Sequence, residues 1–177
     1  LRHLAAFNSF PRASAACFSG LEIESQLKKR LRKLHEQGEM KGDVKNYIYN
    51  KLKPFIAEMI IWSKERWNEF DDFERVLTQE DLTLSPSDFG FHNALEKDSG
   101  EIIFHDFEYF GWDDPVKLIV DFSLHPAMNL DEKLLSKWFQ GTFKIYGKKL
   151  LPKLLAAWPL YALCWVLICL NEFLPDV

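Results

Sequence analysis

Four side chains with oxygen ligands fall in one short stretch of the chain: Asp88, Asn93, Asp106 and Glu108. Carboxylate and amide oxygens suit a hard cation such as magnesium, which takes one or two carboxylates and completes its shell with water and phosphate oxygens. Asp88 precedes Asn93 by five residues and is not needed as a ligand, so it is a candidate for accepting a proton. The combination predicts phosphoryl transfer, which depends on positioning and charge neutralisation more than on covalent chemistry.

The residues around Asp88 predict an irregular loop. Ser85, Pro86, Ser87 and Gly90 all form turns readily. A carboxylate on such a loop faces a ligand more easily than one on the surface of a helix. Asp88 is therefore predicted to be presented to a ligand.

A short β-hairpin is predicted to follow this loop, with strands at 93–96 and 101–105 joined by a turn. The hairpin returns Asn93 to the side of Asp106. Side chains alternate along an extended backbone, so Asp106 and Glu108 are predicted to point to the same side. Two carboxylates and an amide oxygen would then converge on one spot.

A known family carries a similar pattern. The catalytic loop and metal-binding segment of the aminoglycoside phosphotransferase and choline kinase family resemble Asp88-Phe-Gly-Phe-His-Asn93 and His105-Asp106-Phe-Glu108-Tyr-Phe-Gly-Trp-Asp-Asp-Pro115. These proteins are small-molecule kinases with a protein-kinase-like fold. The resemblance implies that Asp88 accepts or orients a substrate hydroxyl, that Asn93 and Asp106 hold Mg²⁺, and that Glu108 assists the metal. It also implies ATP or GTP as phosphate donor and a small-molecule hydroxyl as acceptor.

Two further positions bear on this resemblance. The family usually has a histidine two residues before the catalytic aspartate, where this chain has Pro86. Because that histidine mainly supports the loop, the departure concerns the packing of the loop more than the chemistry. Asp121 lies on the next predicted helix and either supports the catalytic loop, by accepting hydrogen bonds from its backbone N–H groups, or is an exposed helix carboxylate.

The fold that the resemblance implies is mainly helical with a small β-hairpin, an α+β arrangement corresponding to the C-terminal lobe of a protein-kinase-like enzyme. Residues 1–177 are predicted to form a single domain. The chain begins with Leu1, and the glycine-rich loop and phosphate-binding lysine of the family's N-terminal lobe have no counterpart in it. That lobe is expected to be supplied in cis, and the isolated chain is expected to have weak or no turnover.

Apolar residues at helical spacing predict the helices around the hairpin. Ser19 and Glu22 fit a capping box for the first helix, and Pro54 is expected to kink or divide the second. Asp114 as N-cap and Pro115 in the first turn predict the start of a third. The predicted helices run from Gly20 to about Gln37 with Gly38 after the end, from Asp43 toward Phe70, from Pro115 to near Pro126, from Asp131 to Tyr146, and onward from about Leu150.

The last predicted helix contains an uncharged run from Leu154 to Leu170, interrupted by Pro159. Its length is marginal for crossing a bilayer, and no positively charged flank follows it. We therefore expect a buried hairpin of helices that closes the domain, and no membrane association.

The composition is that of a folded protein, because 47% of the residues are hydrophobic. A net charge of −4 with scattered Lys and Arg argues against nucleic-acid binding. The three cysteines are odd in number and lack metal-ligand spacing, and no secretory signal is visible at the start. These features predict reduced thiols and a cytoplasmic location. The acidic connector at 71–80 suits a cationic acceptor.

Two other function classes are open. His92, His105, Asp106 and Asp121 follow the order of the ligands in His-Asp metal phosphohydrolases, but that site is normally built on helices, whereas His105 and Asp106 end a strand-like run. His92 and His105 are interpreted instead as loop and strand residues that make local hydrogen bonds. The remaining class is a degenerate kinase-like domain that binds ligands without catalysis.

Overall fold

The computed structural model describes residues 9–36 and 42–174 and is mainly helical, with two small pairs of antiparallel strands. The predicted α+β class, mainly helical, is confirmed at this level. The helices are α1 (Gly20–Glu36), α2 (Gly42–Tyr47), α3 (Lys53–Trp67), α4 (Pro115–Leu124), α5 (Glu132–Tyr146) and α6 (Leu151–Cys169). The strands are β1 (Thr83–Ser85), β2 (Ala94–Glu96), β3 (Ile102–Phe104) and β4 (Gly111–Asp113). Single π or 3₁₀ turns lie at Ile48–Leu52, Gln79–Asp81, Phe91–Asn93, Lys148–Leu150 and Leu170–Phe173.

Two compact units divide the chain. The first contains the described residues of 1–18 and 76–150, and the second contains those of 19–75 and 151–177. All five residues predicted from the sequence to form the site lie in the first unit.

In the second unit, α6 packs against α1 and α3 over fully buried side chains such as Ile23 and Leu160. The helix α1 starts where the sequence predicts, and Ser19 Oγ accepts a hydrogen bond from the N–H of Glu22 at 3.2 Å. Its predicted end near Gly38 lies outside the described residues.

Pro54 divides the second predicted helix. The N–H of Lys53 donates to the carbonyl of Ile48, five residues back, and α3 then begins with Pro54 in its first turn. Proline has no N–H to donate, and a wider π turn just before it lets the chain continue in a helical direction.

The prediction of a buried helical hairpin at the C-terminal end of the chain is wrong, because α6 is continuous and has Pro159 inside it. An interior proline costs about 3 kcal/mol in an isolated helix, and burial of α6 against α1 and α3 offsets that cost. By length and composition, Lys148–Phe173 would also be apolar enough to cross a membrane. Core helices have the same composition, so this is weak evidence for a span.

In the first unit, the predicted β-hairpin is present as β2 and β3, with Ala94 opposite Phe104. The predicted start of α4 is also confirmed, since Asp114 accepts a hydrogen bond from the N–H of Val116 at 2.9 Å. The sequence did not predict that Gly111–Asp113 pairs with Thr83–Ser85. This pairing ties the start of α4 to the strand that leads into the loop of Asp88.

Gly111 is required where β4 passes a neighbouring segment. A Cβ there would lie 2.5 Å from both the Ala13 nitrogen and the Pro11 oxygen. Those backbone atoms are fixed by hydrogen bonds of 2.9 Å to Trp112. We expect Gly111→Ala to lower the free energy of unfolding by about 1–3 kcal/mol in a urea titration, because the backbone cannot move aside.

Gly141 in α5 provides the matched control, because a Cβ there would meet nothing within 4 Å. We expect Gly141→Ala to raise the free energy of unfolding by about 0.5–1 kcal/mol, since alanine has the higher helix propensity. Equal stability of Gly111→Ala and the unsubstituted chain would contradict the close approach.

Candidate functional site

Asp88 is held by a strained turn at the end of β1. Its N–H donates to the carbonyl of Pro86 at 2.9 Å, around Ser87, whose φ is 67°. This three-residue turn is rare in proteins because its central residue takes a left-handed conformation. Ser87 is fixed by two hydrogen bonds of 3.0 Å, one to Ser85 Oγ and one to the carbonyl of Ser14. The side chain of Asp88 is 38% exposed, so a ligand can reach it.

Phe89 anchors the other side of the same loop. Its ring centroid lies 4.7 Å from that of Phe104 in β3 and 5.4 Å from that of Phe122 in α4. Aromatic pairs at this spacing stabilise a contact by about 0.5–1.5 kcal/mol beyond area burial. The loop is therefore fixed to both the hairpin and α4, with Asp88 beside the anchor.

Asn93 is buried next to Asp88 and is bonded to it. Its Nδ2 donates to the carbonyl oxygen of Asp88 at 3.0 Å and to Asp88 Oδ2 at 3.3 Å. Because both bonds use Nδ2, Oδ1 is the acceptor that the amide retains for a ligand. The N–H of His105 donates to the carbonyl of Asn93 at 3.0 Å. Asn93 therefore pairs across the hairpin with His105, which is the residue before Asp106. The pairing agrees with the predicted hairpin, and it positions the backbone of His105, not the side chain of Asp106.

Asp106 and Glu108 do not lie on an extended strand, so the argument from side-chain alternation is wrong. The strand β3 ends at Phe104, and Asp106 has a φ of 64°. Glu108 lies in a turn closed by a hydrogen bond from the N–H of Phe110 to the carbonyl of Phe107, at 3.1 Å. A left-handed backbone is uncommon outside glycine, and such residues are frequent at functional sites.

The hydroxyl of Tyr109 connects the carboxylates despite this turn. A hydrogen bond to Glu108, together with the charge of Glu108, raises the pKa of Tyr109 above its usual value. The charges of Asp106 and Asp88 act in the same direction. Three of the predicted site carboxylates therefore lie within electrostatic range of one hydroxyl.

Two imidazoles lie close to Asp88 Oδ1, whereas Asn93 bonds to Oδ2. Asp88 Oδ1 lies 3.0 Å from His92 Nε2 and 3.5 Å from His125 Nε2. The rings of His92 and His125 are stacked, with centroids 4.1 Å apart and an angle of 10° between their planes. The hydrogen bond of His92 fits the local role that the sequence suggests, whereas sequence reasoning missed His125. These rings hold the Oδ1 side of Asp88 on the loop that follows Pro86.

The protonation of His125 follows from its surroundings. Burial lowers its pKa, the charge of His92 lowers it further, and the opposing effects of Asp88 and Asp121 are smaller. The N–H of Ala127 donates to His125 Nδ1 at 3.1 Å, so the proton of the neutral ring is on Nε2 and is directed toward Asp88.

Asp121 belongs to a buried ion cluster that consists of Asp113, Lys117 and Asp121. Lys117 Nζ donates to Asp121 Oδ2 at 2.7 Å and lies 3.3 Å from Asp113 Oδ2. The side chain of Asp121 is only 16% exposed, so the exposed-carboxylate alternative is wrong. The ion pair with Lys117 is a contact that the sequence did not predict.

The ligand set of a His-Asp phosphohydrolase is not collected into one site within the described part of the chain. There, the group of three potential ligands within 4.8 Å of one another is Asp88, His92 and His125. His105 and Asp106 are exposed and follow β3 instead of lying on a helix.

The oxygen atoms that fit a hard cation are Asn93 Oδ1 and the exposed carboxylate of Asp106, with Glu108 nearby but bonded to Tyr109. This donor set matches the preference of Mg²⁺ for a few carboxylate or carbonyl ligands with water in the remaining positions.

The acidic connector is partly neutralised by the chain's own cations. Asp71 Oδ2 lies 2.6 Å from Arg75, and the hydrogen bonds to that side chain lower the pKa of Asp71. Glu74 lies 3.7 Å from Lys64. Less negative charge is therefore left for a cationic acceptor than the sequence suggests.

Comparisons of this chain with protein-family models, with curated proteins and with solved structures found no match. The resemblance to small-molecule kinases therefore depends on the sequence motifs themselves and on the geometry of the loop and hairpin.

Proposed function

We propose that this chain carries the catalytic-loop side of a magnesium-dependent phosphotransferase, which transfers the terminal phosphate of ATP or GTP to a hydroxyl of a small molecule. Its fold would then be the C-terminal lobe of an aminoglycoside phosphotransferase or choline kinase. The observation that carries the proposal is the hydrogen-bonded pair of Asp88 and Asn93 on a strained loop, with His105, the residue before Asp106, paired to Asn93 across the hairpin.

Asp88 is the residue that receives the substrate hydroxyl. His92 holds its Oδ1 and Asn93 holds its Oδ2, so the carboxylate is oriented before a substrate arrives. A carboxylate in this position accepts a hydrogen bond from the hydroxyl and directs the oxygen toward the phosphorus. The partial exposure of Asp88 leaves room for that contact.

Asn93 and Asp106 would hold magnesium, and Glu108 would assist through its second oxygen or through water. When bound, the cation neutralises the charge of the phosphates that are transferred and released. The left-handed backbone at Asp106 turns the chain sharply between His105 and Glu108. Tyr109 donates to Glu108 and so fixes an otherwise exposed carboxylate in this region.

Magnesium-dependent nucleotide binding tests the assignment of Asp106. We expect calorimetry to show saturable binding of ATP or GTP that requires Mg²⁺ and that weakens by about tenfold or more in Asp106→Ala, since a charged ligand contact is lost. The matched control is Asp98→Ala, which removes the same charge from an exposed position in the hairpin turn. It should bind like the unsubstituted chain.

Nucleotide binding that is independent of Mg²⁺, or unchanged in Asp106→Ala, would contradict the assigned metal ligands. Absence of binding, both by this chain and by a chain extended at its amino terminus, would favour the degenerate binding domain over the enzyme. Binding by the extended chain alone would support the enzyme and assign the remaining phosphate contacts to the added residues.

A further inference from the structure

The imidazole side of Asp88 differs chemically from the oxygen ligands around Asn93. One ligand atom from each of Asp88, His92 and His125 lies within 4.8 Å of the other two. We infer that these three side chains form a second cation site, which binds a transition-metal ion of the Zn²⁺ class. The inference requires only the three side chains, so it does not depend on the proposed phosphotransferase activity.

The distances to the shared carboxylate fit such an ion. A tetrahedral Zn²⁺ with bonds of about 2.0–2.1 Å to nitrogen and oxygen keeps its ligand atoms about 3.3 Å apart. Asp88 Oδ1 is 3.0 Å from His92 Nε2 and 3.5 Å from His125 Nε2. Both nitrogens therefore lie near the same oxygen, at distances that one cation can bridge.

The ring of His92 is seated on the backbone of Gly90. A Cβ on Gly90 would lie 2.6 Å from His92 Nδ1 and 2.7 Å from Met128 Sδ. The His92 ring and the buried Met128 therefore occupy the space that a side chain at position 90 would need. A ring orientation fixed by the surrounding residues is a property of histidines that bind metals.

His125 must change its hydrogen bonding when it binds the cation. Its neutral ring carries the proton on Nε2, because Nδ1 accepts from the N–H of Ala127. Coordination through Nε2 moves that proton to Nδ1, which then no longer accepts from the N–H of Ala127. The stacked rings must also splay so that both lone pairs meet the ion. The site is therefore weaker than a fully preformed one.

The ligand types set the selectivity. Imidazole suits Zn²⁺, Co²⁺ and Ni²⁺, whereas Mg²⁺ prefers oxygen ligands. The three side chains are between 16% and 38% exposed, which leaves an open coordination position for water. The imidazole site would thus bind transition-metal ions and the neighbouring oxygen ligands would bind Mg²⁺, with Asp88 next to both.

Occupation of this second site has a consequence that rests on the proposed function. Asp88 cannot bind the ion and receive a substrate hydroxyl at the same time. Zn²⁺ is therefore expected to inhibit phosphoryl transfer without displacing Mg²⁺ from Asn93 and Asp106.

The test is a titration of the whole chain, without an affinity tag, with Zn²⁺ by calorimetry and with Co²⁺ by visible absorption, both in excess Mg²⁺. One ion should bind per chain. The variants His92→Phe and His125→Phe keep an aromatic ring and remove the ring nitrogens. Each should weaken Zn²⁺ binding by about tenfold or more, since one of three ligands is lost. The control is His105→Phe, which changes an exposed histidine just after β3. This variant should bind Zn²⁺ like the unsubstituted chain.

Zn²⁺ binding that survives in both His92→Phe and His125→Phe, or that Mg²⁺ displaces, would overturn the inference. Circular dichroism of each variant excludes loss of fold as the cause of weaker binding. The two proposals fail separately: Asp106→Ala should weaken nucleotide binding and leave Zn²⁺ binding intact, whereas His125→Phe should weaken Zn²⁺ binding and leave nucleotide binding intact.

Discussion

Replacement of Lys117 by methionine should lower the free energy of unfolding of this chain by about 3–5 kcal/mol. The ammonium group is buried and lies 2.7 Å from Asp121 Oδ2 and 3.3 Å from Asp113 Oδ2. Burial alone would lower the pKa of Lys117, but the two carboxylates outweigh it and raise the pKa above the usual range. Methionine fills a similar volume and leaves two carboxylates without a cation in a site shielded from water.

Urea unfolding at neutral pH measures this loss, and Lys97→Met provides the control. Lys97 Nζ lies 2.7 Å from Glu101, and both side chains are exposed. Exposed pairs of this kind contribute about 0.5 kcal/mol or less to the free energy of unfolding. Both lysines are ion-paired but only Lys117 is buried, so the difference between the two variants measures the effect of burial. A loss in Lys117→Met no larger than in Lys97→Met would mean that the buried ion cluster does not stabilise the fold.

Features with short-range signals could be predicted from the sequence. The sequence predicts Asp114 as an N-cap and Asp131 as the start of a helix, and each accepts a backbone hydrogen bond at the start of its helix. Gly100, in the predicted hairpin turn, has a φ of 79° and closes β2 onto β3. Caps and tight turns depend on a few neighbouring residues, so residue type and spacing are sufficient to find them.

Contacts between distant parts of the chain could not be predicted in the same way. His125 reaches Asp88 only because α4 ends beside the loop, and no spacing rule connects these two residues. The pairing of β1 with β4 involves strands too short for a recognisable alternation. Lys117 looked like any helix lysine, since its partners Asp113 and Asp121 lie at ordinary helical spacing on either side.

Glu108 shows why a local rule fails when the backbone changes. The prediction that it shares a face with Asp106 assumed an extended chain, but the left-handed conformation of Asp106 ends that geometry. Both carboxylates nevertheless act on the hydroxyl of Tyr109, because its hydrogen bond to Glu108 and the charge of Asp106 both raise its pKa. Residue type was therefore enough to propose the site residues, while their arrangement required the structure.

Asp113 should make stability depend on pH in a direction opposite to that of most carboxylates. Burial raises the pKa of Asp113 to about 6 from its ordinary value of 3.8, although the ammonium of Lys117 opposes the shift. Between these values the folded chain keeps a proton that the unfolded chain has released. The stability contributed by this group is fully present below pH 3.8 and is lost as the pH rises through about 6.

Asp113→Asn removes this dependence, because asparagine is neutral at every pH and its side-chain oxygen can still accept from the N–H of Asp114. Between pH 4 and pH 7.5, the free energy of unfolding of the variant should therefore rise relative to that of the unsubstituted chain by about 2 kcal/mol, since each unit of pKa shift corresponds to about 1.36 kcal/mol and part of the change falls below pH 4. Taking the difference between the two proteins cancels the other carboxylates, including Asp71, whose lowered pKa acts in the opposite direction. A difference that stays constant with pH would mean that Asp113 titrates normally, and that Lys117 fully compensates its burial.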